Sequence, residues 1–280
     1  MTTSSTAPTG DRTVRMVTVH GRRIRVALRA GEGTPLVLCN GIGAGLEVLQ
    51  RIVDALDPSI PVIRFDVPGV GGSQLPPAPY NLMSLSSCLG RLLDALAVDE
   101  VDVLGISWGG MLAQQFALQH PRRCRRLVLV STSTGALMVP GSPSTWWPMA
   151  IPGRHRDGVP AGVAPAVYGG RMRDEPRLAQ EILGRRAPMT PTLGQLMQVF
   201  AGVGWTSLPW LPLIRQRTLV LTGADDPVVP VANGRVLSTL LPHAQLHVFP
   251  DGHLGLLTLA DELAPRIARF LRQDPAGVRR

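Results

Sequence analysis

Ser107 lies in Gly105-Ile106-Ser107-Trp108-Gly109-Gly110, with a glycine two positions to either side of a hydroxyl that could act as a nucleophile. A serine hydroxyl attacks a carbonyl carbon only when a base takes its proton, and the base needs a third group to orient it. The chain has six histidines. His20 falls in an early hairpin turn, His120 at a helix end and His155 in a tryptophan-rich stretch, while His243 and His247 flank or occupy the last predicted strand. His253 follows that strand in Asp251-Gly252-His253, a loop that can present an imidazole, and it is the expected base. Two adjacent carboxylates compete for the orienting role in Gly223-Ala224-Asp225-Asp226-Pro227. Asp226 is favoured and Asp225 is its rival, since only one of them can point at the imidazole. The other place for an acid, Ser131-Thr132-Ser133-Thr134, carries no carboxylate.

The hydroxyl needs a turn to stand on. Val101–Leu104 is a short apolar run that reads as a buried strand, and Met111–Leu118, free of Gly and Pro, reads as a helix. A serine on the tight turn between them strains its own backbone, and side chains at the flanking positions would collide as the chain doubles back. The start of that helix offers free N–H groups to a developing oxyanion. One expected oxyanion donor is the N–H of Trp108. The other is the N–H of Ile42, in the turn Asn40-Gly41-Ile42-Gly43 that follows the apolar run Pro35–Cys39. Asn40 in that turn is an expected substrate contact. The glycine spacing 41, 43, 45 misses the dinucleotide fingerprint G-x-G-x-x-G by one, so no nucleotide cofactor is expected. No other organic cofactor is expected, and the scattered cysteines Cys39, Cys88 and Cys124 give no metal spacing.

Val14–Val19 and Arg23–Ala27 alternate as a β-hairpin. Strands at Leu36–Cys39, Pro61–Phe65, Val101–Leu104, Leu127–Val130, Thr218–Leu221 and Gln245–Phe249 then alternate with helices at Glu47–Leu56, Leu82–Leu96, Met111–Leu118 and Leu259–Arg272. That rhythm predicts an α/β class with a mostly parallel sheet covered on both faces, and the chain order Ser, Asp, His is that of the α/β-hydrolase arrangement. Residues 13–136 and 213–273 form the expected core, with a tail at 1–12. Residues 137–212 break the rhythm. They show no clear strand, many prolines and four of the five tryptophans, Trp146, Trp147, Trp205 and Trp210. The stretch is too long for a bare loop, so an inserted, mainly helical cap over the carboxyl ends of the strands is expected. Its tryptophans are either cap core or apolar walls of a substrate cleft.

The net charge of +8 comes entirely from arginine. Its densest cluster, Arg122–Arg126, reads as a solvated helix-end loop, or else as an anion- or surface-binding patch. No nucleic-acid-binding pattern accompanies it. No apolar run reaches the length of a membrane span, the first residues lack the features of a secretory signal, and the cysteine usage suits a cytoplasmic protein.

Beyond this machinery, Phe65–Ser73, Gly105–Gly110, Ala113–Ala117, Asn40–Ala44, Tyr168-Gly169-Gly170, Phe200–Ser207 and Asp251–Leu254 resemble the intracellular medium-chain-length polyhydroxyalkanoate depolymerases. The likeness runs from about Val14 to Leu271 and is weakest over Arg171–Thr192. It implies a serine esterase acting on stored aliphatic polyester at cytoplasmic granules, with Ser107, Asp226 and His253 as nucleophile, acid and base. A carboxylesterase or lipase for small or lipid esters would share all of this machinery and differ in the cap. A haloperoxidase or C–C hydrolase could use the same triad, and a non-catalytic granule-associated protein could use the apolar cap and basic surface for adhesion.

Overall fold

The structure, a computed structural model, describes residues 12–143, 145, 167–183 and 192–273. Strands β1 (Arg12–Val19) and β2 (Arg22–Arg29) form the expected hairpin, and Arg12, assigned to the tail by sequence, already pairs with Arg29. Then follow β3 (Leu36–Cys39), α1 (Gln50–Ala55), β4 (Val62–Phe65), α2 (Leu82–Ala95), β5 (Val101–Ile106), α3 (Trp108–Gln119) and β6 (Cys124–Val130). After an interval come β7 (Arg217–Gly223), β8 (Ala244–Phe249) and a closing helix (Ala260–Arg272). The strands form one eight-stranded sheet in the order β1-β2-β4-β3-β5-β6-β7-β8. β2 runs antiparallel to its neighbours, and every pairing from β4 to β8 is parallel.

The central strands are buried on both faces, which is why they read as unbroken apolar runs. Successive side chains still go to opposite sides. Val37, Cys39 and Val103 join the core beneath Leu89 and Leu92 of α2 and Phe116 of α3, whereas Leu36, Leu38 and Leu104 join Ile52, Ile267 and Phe270 on the other side. Burying side chains the size of Leu89 and Phe116 stabilises the fold by roughly 1.5–3 kcal/mol each. Helix α2 starts cleanly because Asn81 and Ser84 cap each other: Asn81 Oδ1 accepts from the Ser84 N–H at 2.8 Å, and Ser84 Oγ accepts from the Asn81 N–H at 3.1 Å.

Between β6 and β7 the described elements are α4 (Gly170–Asp174), α5 (Pro176–Leu183), α6 (Thr192–Gly202) and a 3-10 turn at Leu208–Leu213. An antiparallel bridge between Gly135 and Thr206 ties the two ends of this interval together. Helices α7 (Val231–Leu240), between β7 and β8, and α8 (Gly255–Thr258), just before the closing helix α9 (Ala260–Arg272), lie outside the sequence-based expectation. Gly and Asn in the first turn of α7 hide it. The arginine cluster opens in the turn after α3, where Arg122 is exposed, and runs into β6 at Cys124. Arg123 bonds Asp94 and three carbonyls, Arg125 pairs with buried Asp102, and Arg126 binds the Leu271 carbonyl at the end of α9.

Candidate active site

Ser107 adopts φ 53° and ψ −123° between β5 and α3. That left-handed conformation costs roughly 1–3 kcal/mol for a residue with a side chain, and the surroundings must hold it. They do so with three bonds: Ser107 N–H donates to the Val130 carbonyl at 2.9 Å, while its own carbonyl accepts from Gly110 N–H at 2.9 Å and Thr132 Oγ1 at 2.7 Å. Glycine is required on either side. A Cβ at Gly105 would lie 2.3 Å from the Gly109 carbonyl oxygen, and one at Gly109 would lie 2.2 Å from that of Cys39.

His253 stands between the serine and an acid. Its Nε2 is 3.0 Å from Ser107 Oγ and its Nδ1 is 2.8 Å from Asp226 Oδ2. A carboxylate only accepts, so Nδ1 carries the proton and Nε2 keeps a lone pair for the serine hydroxyl. The other oxygen of Asp226 accepts from the Val228 and Val229 N–H groups, each at 2.9 Å. The imidazole and carboxylate side chains are only 3% and 0% exposed, so little solvent competes for the pair. Asp225 faces elsewhere. Its Oδ2 accepts from Gly170 N–H at 2.9 Å and Arg173 Nη2 at 2.7 Å, and these bonds, that of Gly170 foremost, hold its carboxyl below the usual range. Of the two adjacent carboxylates, only Asp226 meets the imidazole.

The sequence reading missed a strap that fixes both loops. Tyr168 accepts the His253 N–H at its carbonyl (2.8 Å), and its ring lies parallel to the imidazole with centroids 6.2 Å apart. Burial pushes the Tyr168 phenol up to about 12. Three residues on, Arg171 N–H donates to Asp251 Oδ1 at 2.8 Å, and Thr258 Oγ1 holds the other oxygen of Asp251 at 2.5 Å.

The turn after β3 lies beside the serine, with the Gly41 Cβ position 3.9 Å from Ser107 Cβ. Asn40 braces that turn from within. Its Nδ2 donates to the Gly45 carbonyl at 2.6 Å and its Oδ1 accepts from Gly41 N–H at 2.9 Å. These bonds engage one of the two N–H groups of Nδ2 and one lone pair of Oδ1. Ile42 packs against the core, and Trp108 is the first residue of α3, where a helical N–H has no preceding turn to bond. Buried Asp66 anchors the far side of the turn, accepting from Leu46 N–H at 2.7 Å and Gly72 N–H at 2.8 Å. Gln198 of α6 was also missed: its Oε1 accepts from Gly43 N–H at 2.7 Å, and its carbonyl accepts from Trp108 Nε1 at 3.0 Å.

Of the four tryptophans, Trp205 is half-buried and donates from Nε1 to Gln115 of α3 at 2.8 Å, while Trp210 is half-exposed on the 3-10 turn. Trp146 and Trp147 lie outside the described residues. Among the described residues no group of three or more His, Cys, Asp or Glu side chains could hold a metal ion, and Cys39, Cys88 and Cys124 are free thiols.

The sequence pattern of the α/β-hydrolase fold family matches residues 34–258. A poly(3-hydroxyalkanoate) depolymerase from Ectopseudomonas oleovorans is 47% identical over 263 residues, covering 93% of each chain. The polyketide synthase ThaQ of Burkholderia thailandensis is 31% identical over 276 residues, 94% of this chain but 13% of that much longer protein. Among solved structures, an enol-lactonase from Burkholderia xenovorans LB400 superposes with a TM-score of 0.78 at 26% identity, covering 92% of this chain and all of that one.

Proposed function

The chain belongs to the α/β-hydrolase family and, within it, to the group of the poly(3-hydroxyalkanoate) depolymerases; from that premise we propose that it hydrolyses the esters of a medium-chain-length poly(3-hydroxyalkanoate) stored inside the cell, through Ser107, His253 and Asp226. The observation that carries the reading is the continuous chain from Ser107 Oγ through the His253 ring to Asp226, in a protein nearly half identical to a polyester depolymerase.

As Ser107 Oγ attacks the ester carbonyl, His253 Nε2 takes its proton. The carbonyl oxygen becomes an oxyanion and accepts from the N–H groups of Trp108 and Ile42. Asp226 stabilises the imidazolium, which then protonates the departing 3-hydroxyl oxygen as the carbon–oxygen bond breaks. Water, deprotonated by the same imidazole, attacks the serine ester and releases a free carboxylic acid, returning the proton to Ser107. Every proton stays among the serine, the imidazole, the water and the product, so neither metal nor organic cofactor is needed.

For the insoluble substrate the stretch 192–213 is the proposed contact. Phe200 and Val203 are 63% and 70% exposed, and Leu193, Trp210 and Leu213 are exposed beside them in sequence. Apolar side chains of this density suit an aliphatic polyester surface better than the arginine cluster, most of which is tied into the fold. The granule surface in the cytoplasm is accordingly the proposed site of action. No helix among the described residues is long and apolar enough to cross a membrane.

The test compares a medium-chain polyester emulsion with a soluble p-nitrophenyl ester of matched acyl length. Release of 3-hydroxy acids or their oligomers from the emulsion, abolished in Ser107→Ala, is the expected result. Hydrolysis of the soluble ester alone would make the protein an esterase for small substrates.

A further inference from the structure

Gln198 lies on α6, in the segment between β6 and β7, yet its side-chain oxygen and its carbonyl accept from the two segments that carry the expected oxyanion donors. It is 1% exposed. Its side-chain oxygen accepts from Gly43 N–H, which belongs to the peptide immediately after Ile42. Only the two backbone torsions of Ile42 separate that peptide from the one carrying the Ile42 N–H, so fixing the first restrains the aim of the second. Its carbonyl accepts from the indole of Trp108, the residue that supplies the other N–H. Helix α6 is seated closely enough to make these bonds a matter of register. A Cβ at Gly194 would lie 1.8 Å from the Gly69 carbonyl oxygen, and the Gln195 side chain reaches within 3.6 Å of the Cβ position of Gly43.

We propose that Gln198 is a positioning residue for the oxyanion hole: one residue of the inserted helix clamps both donor-bearing turns, so the hole is correctly formed only while α6 is seated on the core. The inference rests on the serine-esterase reading above. Amide chemistry suits this place. The glutamine accepts from Gly43 without bringing a charge, whereas a carboxylate there would oppose the negative charge that develops on the substrate oxygen.

The experiment uses the full chain, a soluble medium-chain p-nitrophenyl ester, and an alkyl trifluoromethyl ketone whose hydrated or serine-bound oxygen occupies the hole. Gln198→Met keeps the length and removes the side-chain acceptor. It should lower kcat roughly tenfold to hundredfold with KM within about twofold, and weaken the ketone by the same factor as kcat/KM. Gln198→Glu keeps an acceptor for Gly43 N–H in both protonation states, but its ionised form brings a negative charge that opposes the oxyanion, and burial favours the neutral form. The ratio of its rate to that of the parent protein should therefore climb as the pH falls. An unchanged kcat in Gln198→Met, a loss confined to KM, or a pH-independent ratio in Gln198→Glu would overturn the proposal, and the glutamate variant decides alone if the methionine variant does not fold. Ser107→Ala runs in parallel. Activity surviving in it would overturn the esterase reading itself; activity lost in it but unaffected by both Gln198 variants would remove only the role of Gln198.

Discussion

Replacing Asp226 with asparagine is the most informative single change, because the structure dictates how the new side chain must sit. The Val228 and Val229 N–H groups both point at Oδ1 of Asp226 from 2.9 Å and must keep an acceptor. The amide oxygen of asparagine therefore takes the Oδ1 place, which leaves its NH₂ facing His253 Nδ1, now 2.8 Å from Oδ2. Two donors cannot face each other, so the imidazole moves its proton to Nε2 and can no longer accept from Ser107. In triads of this kind the wrong tautomer costs on the order of 10⁴-fold in kcat, or about 5.4 kcal/mol of transition-state stabilisation. KM should change little, because Asp226 is buried behind the histidine. Asp225→Asn is the matched control, since its amide oxygen can still accept from Gly170 and only an exposed pairing with Arg173 is lost. Its kcat should stay within about threefold of the parent value. The assay is steady-state hydrolysis of a soluble p-nitrophenyl ester by both variants, with circular dichroism to confirm folding. Equal losses, or a larger loss in Asp225→Asn, would refute the reasoning and move the acid by one residue.

Three other outcomes follow from particular contacts. The chain has two tyrosines, and burial pushes Tyr168 up to about 12 and Tyr80 upward as well; an ultraviolet pH titration of the folded protein should show no phenolate step near the ordinary value of about 10, and a step there would contradict the burial of both rings. Asp57 is held down to about 2, first by the Ser59 hydroxyl and N–H and then by Arg272. Its folded value is depressed, so its contribution is complete above the unfolded value of about 3.9 and fades as the pH falls toward the folded one; denaturant melts should show Asp57→Asn less stable than the parent at neutral pH, with the gap closing in that acid window, and a gap that is constant with pH would contradict it. Gly109→Ala sets a methyl 2.2 Å from the Cys39 carbonyl oxygen and 2.4 Å from that of Asn40; both Tm and kcat should fall, and a variant with parental values of each would show that the elbow is not as tight as described.

The parts of the site that could be read from sequence are those whose constraint is local. The glycines around Ser107 mark a turn where backbone touches backbone, and that requirement is visible within six residues. Apolar runs revealed the central strands because both faces are covered, although β5 and β6 extend further than expected, β6 starting at Cys124 inside the arginine cluster. Asp226 was favoured over its rival Asp225, but what separates neighbouring carboxylates on one turn is the direction each faces, which the structure shows. Tyr168 stood out only within the resembling segment Tyr168-Gly169-Gly170, with no sign of its partner, and Gln198 had no local signal. The first braces a histidine more than eighty residues away in the chain, and the second accepts from a glycine 155 residues away. Nor did the arginine cluster announce its partners, which come from α2, β5 and the end of α9.

The most direct test of the account is to quench the protein in acid during early turnover of a medium-chain poly(3-hydroxyalkanoate) emulsion, digest it, and weigh the peptide containing Ser107. The account predicts that this peptide gains the mass of one or more 3-hydroxyacyl units, and that neither the adduct nor soluble product appears in Ser107→Ala. Polymer degradation with Ser107 unmodified and dispensable, or an acyl adduct on a different residue, would contradict it.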